Sequence, residues 1–187
     1  MAAPTIPNKV VTGVEGVSFL TTYTVNVTTA PEYPAAPFPV GMHALGENDS
    51  EYVFIKASVA LAQYQCVAIN PTQLACVPAT ITLVNEQQQL GWPQVAIAAG
   101  DFGWAAIRGQ NIGVLAKKGS LPFNVTGPAA NPNNKLYISG TSPGVLTTTS
   151  VRTSALVTGT TLTTSSTSIT PNSSVVVAIA TWPRGAL

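Results

Sequence analysis

The chain holds a single histidine, His43, and three carboxylates, Glu47, Asp49 and Glu51, follow it closely. A histidine oriented by a carboxylate serves as a general base when a nucleophile stands beside it. No Gly-x-Ser-x-Gly elbow or other nucleophile motif accompanies this one, so His43 reads as an ordinary surface histidine. The alternate spacing of the three acids resembles a calcium loop, but the central glycine and terminal glutamate of the EF-hand pattern are missing, and a solvated turn is the expectation. One histidine with two cysteines, Cys66 and Cys76, does not make a four-ligand zinc site without carboxylates. Gly100 to Gly109 (GDFGWAAIRG) has neither the Walker nor the Rossmann spacing. The sequence therefore assigns no catalytic residue, no metal ligand and no cofactor.

Aromatic residues and one arginine offer a different chemistry. Trp92, Phe102, Trp104 and Arg108 fall in one stretch, and Trp182 with Arg184 closes the last apolar run. Tryptophan and arginine dominate binding hot spots when they lie on a surface; the same residues serve equally well as core and rim. In Ser18 to Thr28 (SFLTTYTVNVT), Phe19, Tyr23, Val25 and Val27 share one face at period two. Phe19, Tyr23, Val25, Trp92, Phe102, Trp104, Arg108 and Trp182 are the candidate protein-interface residues.

The surface that carries them is unusual. Charged residues make up 8% of the 187, against roughly 25% in an ordinary soluble domain, so Thr, Ser, Asn, Gln and backbone must cover most of it. A net charge of +1, with basic residues dispersed except at Lys117-Lys118, excludes a polyanion-binding face, so no nucleic acid is expected as a partner. Mean hydropathy is +0.29, yet the longest apolar run, Val175 to Ala180, falls far short of the ~20 residues of a membrane helix; no membrane partner is expected, and the surplus goes to a core and to protein interfaces. The first residues lack a basic region followed by an apolar one, which predicts synthesis in a cytoplasm. In that compartment Cys66 and Cys76 read as buried thiols.

The elements that must position these residues are short strands. Pro4, Pro7, Pro31, Pro34, Pro37 and Pro39 punctuate residues 1–40 and predict an extended arm whose amphipathic stretch docks against a neighbouring subunit or forms the first strand of the chain's own sheet. Residues 41–187 form the β domain. Within it Gly41 to Ser50 is a polar turn, Glu51 to Ser58 a strand, Cys66 to Ile69 another, and Ala75 to Val84 a third, with a helical turn near Asn85 to Leu90. Val95 to Ala99, Trp104 to Ile107 and Ile112 to Leu115 read as a meander turning at Gly100-Gly103 and at Gly109-Asn111. Lys135 to Ser139 and Gly144 to Thr147 form a hairpin, the Ser/Thr-rich segment 147–174 holds edge strands, and Ser174 to Trp182, apolar on both faces, is central. The fold class is all-β, a compact barrel or sandwich of short antiparallel strands with an extended Pro-rich N-terminal arm.

Three stretches carry a family resemblance. GENDSEYVFIKASVALAQYQCVAI (Gly46 to Ile69), PQVAIAAGDFGWAAIRGQNIGVLA (Pro93 to Ala116) and VVVAIATWPR (Val175 to Arg184) resemble the turn-and-strand pattern of the head decoration, or cement, proteins of tailed bacteriophages. With the weaker KLYISGTSPGVL between them, the match spans roughly residues 41 to 184. The resemblance implies a non-enzymatic virion protein on the capsid exterior that bridges major capsid protein subunits, as a homotrimer at local threefold positions. The longer N-terminal region and the Ser/Thr-rich segment depart from that pattern. The alternative is a receptor- or glycan-binding β domain of a virion fibre or surface structure, which a shallow site lined by Trp92 and Trp104 would favour.

Overall fold

The structure is a computed structural model that describes residues 10–12, 18–24, 36–47, 49–70, 72, 75–117, 136–147, 155–162 and 174–185. Its organising element is β7 (Phe102–Lys117), a strand of 16 residues. Phe102, Trp104 and Ala106 point to one face and Ala105 and Ile107 to the other, and all five are buried. A strand apolar on both faces needs a packed layer on each side, and the rest of the chain supplies two.

The first layer is a closed barrel. β3 (Glu51–Ala57) runs antiparallel to β7 from Lys56↔Phe102 to Glu51↔Arg108. β5 (Ala75–Pro78) joins β3 in parallel, β4 (Val67–Ile69) pairs with β5 and with β6 (Gln89–Pro93), and β6 returns to β7 at Trp92↔Ala106. This circuit encloses Val53, Ile55, Val67, Ile69, Ala105 and Ile107, and Leu61 and Ile97, bridged backbone to backbone, close it. Short aliphatic side chains fit so narrow an interior, and at Gly91 even a Cβ would lie 3.3 Å from Ala105 Cβ.

The C-terminal half of β7 belongs to a second circuit. It pairs with β11 (Ser174–Gly185), β11 with β10 (Ala155–Leu162), β10 with β8 (Leu136–Ile138), and β8 with β9 (Leu146–Thr147); β9 then meets β7 in parallel at Ala116↔Leu146. The two circuits share β7, and Arg184↔Gln89 adds a link between β11 and β6. A short helix, α1 (Ile81–Asn85), packs on β10 and β11; its N-cap Thr80 accepts the Leu83 N–H through Oγ1. β1 (Val10–Thr12) and β2 (His43–Gly46) extend the sheet outward from β3.

The all-β class, the central final strand and the Gly140 hairpin stand as read from the sequence. The meander does not. Gly109-Gln110-Asn111 is a bulge rather than a turn: Gly109 at φ 134° and Asn111 at φ 60° absorb one extra residue, and β11 pairs across them from Thr181 to Ser174. A long partner strand overrides a local turn signal. Val95 to Ala99 forms no strand either; β6 ends at Pro93, and only Ile97 of that run bridges, to Leu61. Ala75 to Val84 is half strand and half helix, because Pro78 ends β5 and Thr80 caps α1.

The described parts of residues 1–40 make contacts with residues 41–187. β1 pairs with β2, and Tyr23 exchanges both backbone hydrogen bonds with Phe102 at 2.9 Å, but Ser18 to Thr24 makes no continuous strand: Thr21 N–H turns back to the Ser18 carbonyl. Val25 lies outside the described residues.

Candidate protein-interaction surface

The aromatic candidates converge on the outer face of the barrel. Phe19 stacks on Tyr52 with ring centroids 3.9 Å apart, Trp104 meets Phe54 at 5.0 Å and Phe19 at 5.4 Å, and Phe38 packs edge-on against Phe54 and Tyr23. Phe19, Trp92 and Trp104 have no exposed surface at all. As interface residues these three are corrected: their area is spent inside the fold, and over Trp104 it is the N-terminal segments, through Phe19 and Phe38, that roof the ring face which β3 and β7 would otherwise present. Phe102 is nearly buried beneath Lys56, whose ammonium sits 5.6 Å from the ring centroid, and Tyr23 is half-buried. Trp182 lies on β11 beside Arg108's partner Thr181, and its side chain is outside what is described. Trp92 and Trp104 therefore form no stacking platform for a sugar.

Arg108, like Tyr23, is partly exposed. It donates from Nη2 to both carboxylate oxygens of Asp49, a residue in the left-handed region at φ 56° on the turn between β2 and β3. That turn sits directly over the bulge: a Cβ on Gly109 would come 2.7 Å from Ser50 Cα, so only glycine lets the two backbones close. Ser50, fully buried, donates its hydroxyl to the Glu47 carbonyl. Burial pushes the Tyr52 phenol well up, opposed by a hydrogen bond with Ser50 and reinforced by the Glu47 charge.

Next to this turn, register places Leu45 opposite Glu51 and Glu51 opposite Arg108, one row across β2, β3 and β7. Cross-strand neighbours share a face. His43 lies on that face as well, its Nδ1 2.6 Å from Glu51 Oε1. The histidine side chain is 50% exposed and Leu45 is 46% exposed. On the adjoining turn the Ser50 hydroxyl donates to the Glu47 carbonyl. Among the described residues no three metal-ligating side chains come together. Cys66 and Cys76 are buried free thiols on opposite faces, one in each core, and burial pushes both well up, so neither forms a thiolate near neutral pH.

No protein-family model and no curated protein sequence matches this chain. Among the described residues no helix is long and apolar enough to cross a membrane.

Sequence reasoning missed Leu45. Its signal was present as the alternation His43/Leu45 against Ala44/Gly46, exposed against buried, but the run is short, glycine-flanked and rich in polar neighbours, and it reads as a turn. Gln94 was missed as well. It is fully buried, accepts the Gly113 N–H at 2.9 Å, and donates to the carbonyls of Gly113 and Trp92 at 3.1 and 3.0 Å. No local pattern marks a glutamine whose amide stands in for a missing strand.

Proposed function

We propose that this chain is a virion structural protein that decorates the exterior of a tailed-bacteriophage capsid and stabilises it by bridging major capsid protein subunits, as a homotrimer at local threefold positions, with no catalytic role. What carries the reading is the placement of the three resembling stretches. Far apart in sequence, they supply β3, β7 and β11, and β7 pairs with both of the others along its length. The resemblance thus falls on one contiguous piece of sheet.

The physical properties suit that role. A shell under internal pressure is stabilised by any protein whose interfaces must be lost before its subunits separate, and many symmetry-related copies make modest contacts sufficient. A chain with 8% charged residues resists association poorly, which favours permanent docking. Leu45, exposed between Glu51 and His43, has the form of an apolar contact with a polar rim.

The test is addition of purified protein to undecorated, expanded capsids of the phage that encodes it. Saturable co-sedimentation, with a rise in the temperature at which the shells open, is the expected result. No co-sedimentation at micromolar protein, or binding without any change in shell stability, would overturn the reading.

A further inference from the structure

Residues 18–24 meet the barrel at few points. Leu20 and Thr21 donate their N–H groups to the hydroxyl and the carbonyl of Ser18, so this backbone is turned on itself. Among the described residues it bonds to the barrel backbone through Tyr23 alone, which pairs with Phe102 on the edge of β7 that β6 leaves after Pro93↔Ala105. Side chains do the rest. Phe19 fills a slot between Tyr52 and Trp104 and has no exposed surface, and the Tyr23 ring meets Phe38 and Phe54 at 5.7 and 5.9 Å. Two aromatic anchors on a segment that carries its own turn act as a plug. Its connection is longer than this placement requires: eleven residues, 25–35, separate Thr24 from Ala36, yet the rings of Tyr23 and Phe38 on either side are 5.7 Å apart. Stretched out, such a length reaches roughly 36–40 Å, more than the ~30 Å diameter of a small domain.

We propose that copies of this chain exchange residues 18–24, the Phe19–Tyr23 plug of one copy filling the Tyr52–Trp104 slot of the next and pairing with its Phe102. The occupant is fixed by what the slot already holds: the same residues fit the same slot in either chain, so every contact just described is kept when the donor is a second copy. Concentration decides between the two arrangements. Within one chain the tether supplies the plug at a roughly millimolar effective concentration, so dilute chains keep their own. Copies held side by side compete on equal terms, and exchange ties each to its neighbour. A plug and a slot are different patches, so the links close into a ring when the rotation allows. The inference rests on the homotrimer proposed above and names what its copies share. It invokes no contact with the capsid, so its failure leaves capsid binding untouched.

The Tyr23↔Phe102 bridge sets Thr24 opposite Asp101, at a non-hydrogen-bonded position of the antiparallel pair, where Cα atoms lie about 4.5 Å apart and a disulfide fits. Neither residue is buried, and Asp101 is held by backbone bonds with Ala57 and Ala98. Thr24→Cys and Asp101→Cys are made in separate full-length chains, mixed and oxidised, both free in solution and bound to capsids, and the linked peptides are identified by mass spectrometry. A disulfide between the two variants, doubling the mass on a denaturing gel, is expected in the mixture and in neither chain alone. Adding Phe19→Ala to the Thr24→Cys chain removes the main anchor and is expected to cut the linked fraction severalfold. The double variant Thr24→Cys/Asp101→Cys is expected to link chains in series. A double variant linked only within its own chain, a mixture with no link in either setting, or a yield that Phe19→Ala leaves unchanged would overturn the proposal. A double variant that forms no disulfide at all would overturn it too, since the plug then does not pair with β7.

Discussion

The two halves of β7 are the same strand held in two ways. From Phe102 to Ile107 both edges and both faces are filled by ordinary means: ladder pairs to β3 and β6, aliphatic side chains inward and stacked rings outward. From Ile112 to Lys117 one edge has β11, and the other is completed by substitutes. Gln94 pairs with Gly113 through its side-chain amide, the Tyr64 carbonyl takes the Leu115 N–H at 2.8 Å, and only the last two residues gain a strand partner in β9. Gly113 has no room for a side chain, since a Cβ there would lie 2.5 Å from the Tyr64 ring. The first half is stabilised by burial and tolerates no loss of volume; the second depends on backbone hydrogen bonds that a few polar groups must supply.

That contrast breaks most visibly at Trp104. Its indole sits among Phe19, Phe38 and Phe54 with no exposed surface, and removing a buried tryptophan side chain costs about 3–5 kcal/mol through lost transfer energy and the cavity left behind. Trp104→Ala is expected to lower the unfolding free energy by that amount, or to leave the chain unfolded, in urea denaturation followed by circular dichroism. A loss below about 1 kcal/mol would mean that the N-terminal segments do not cover this face in solution.

Gln94→Ala addresses the second half. It strips the Gly113 N–H and carbonyl of their partner inside a region where water has no ready access, and a buried group left unsatisfied costs about 1–3 kcal/mol. The expected signature is local. Amide exchange at Gly113 should speed up more than at Ala105 or Ala106, whose bonds run to β3 and β6. Uniform acceleration along β7 would show that the halves do not differ in the way their partners suggest.

What was legible in the sequence follows the same division. Tyr52 and Phe54 against Val53, Ile55 and Ala57 is a period-two signal, and it reported β3 correctly because side-chain burial is what builds that strand. The closing strand was visible in the apolar run Val175 to Ala180, which pairs with β7. Where polar groups or the backbone decide the structure, the residues gave no warning: Gly109-Gln110-Asn111 has the composition of a turn and becomes a bulge only because β11 is long enough to pair across it. The tryptophans show the limit in another form. Composition marks Trp92 and Trp104 as interface or core without choosing, and for Trp104 the choice was made by Phe19 and Phe38, far off in sequence, folding over the same face.

The smallest effect is expected at the turn that caps the junction between the halves. Asp49 is 67% exposed at its side chain and accepts from Arg108, which is 30% exposed; a pair so placed is worth within about 1 kcal/mol, because solvent and salt screen it. An asparagine in place of Asp49 would keep the short polar side chain that tolerates φ 56° and lose only the charge. Asp49→Asn should therefore shift the urea midpoint by less than Gln94→Ala does, and the shift should vanish at high salt. Asp49→Val, which removes the charge and also forces a β-branched residue into the left-handed region, should cost more, and that excess should survive at high salt. If both variants lost the same stability, the ion pair would outweigh the backbone at this turn, and the close approach of Ser50 to Gly109 would not be what holds β2 and β3 against the bulge of β7.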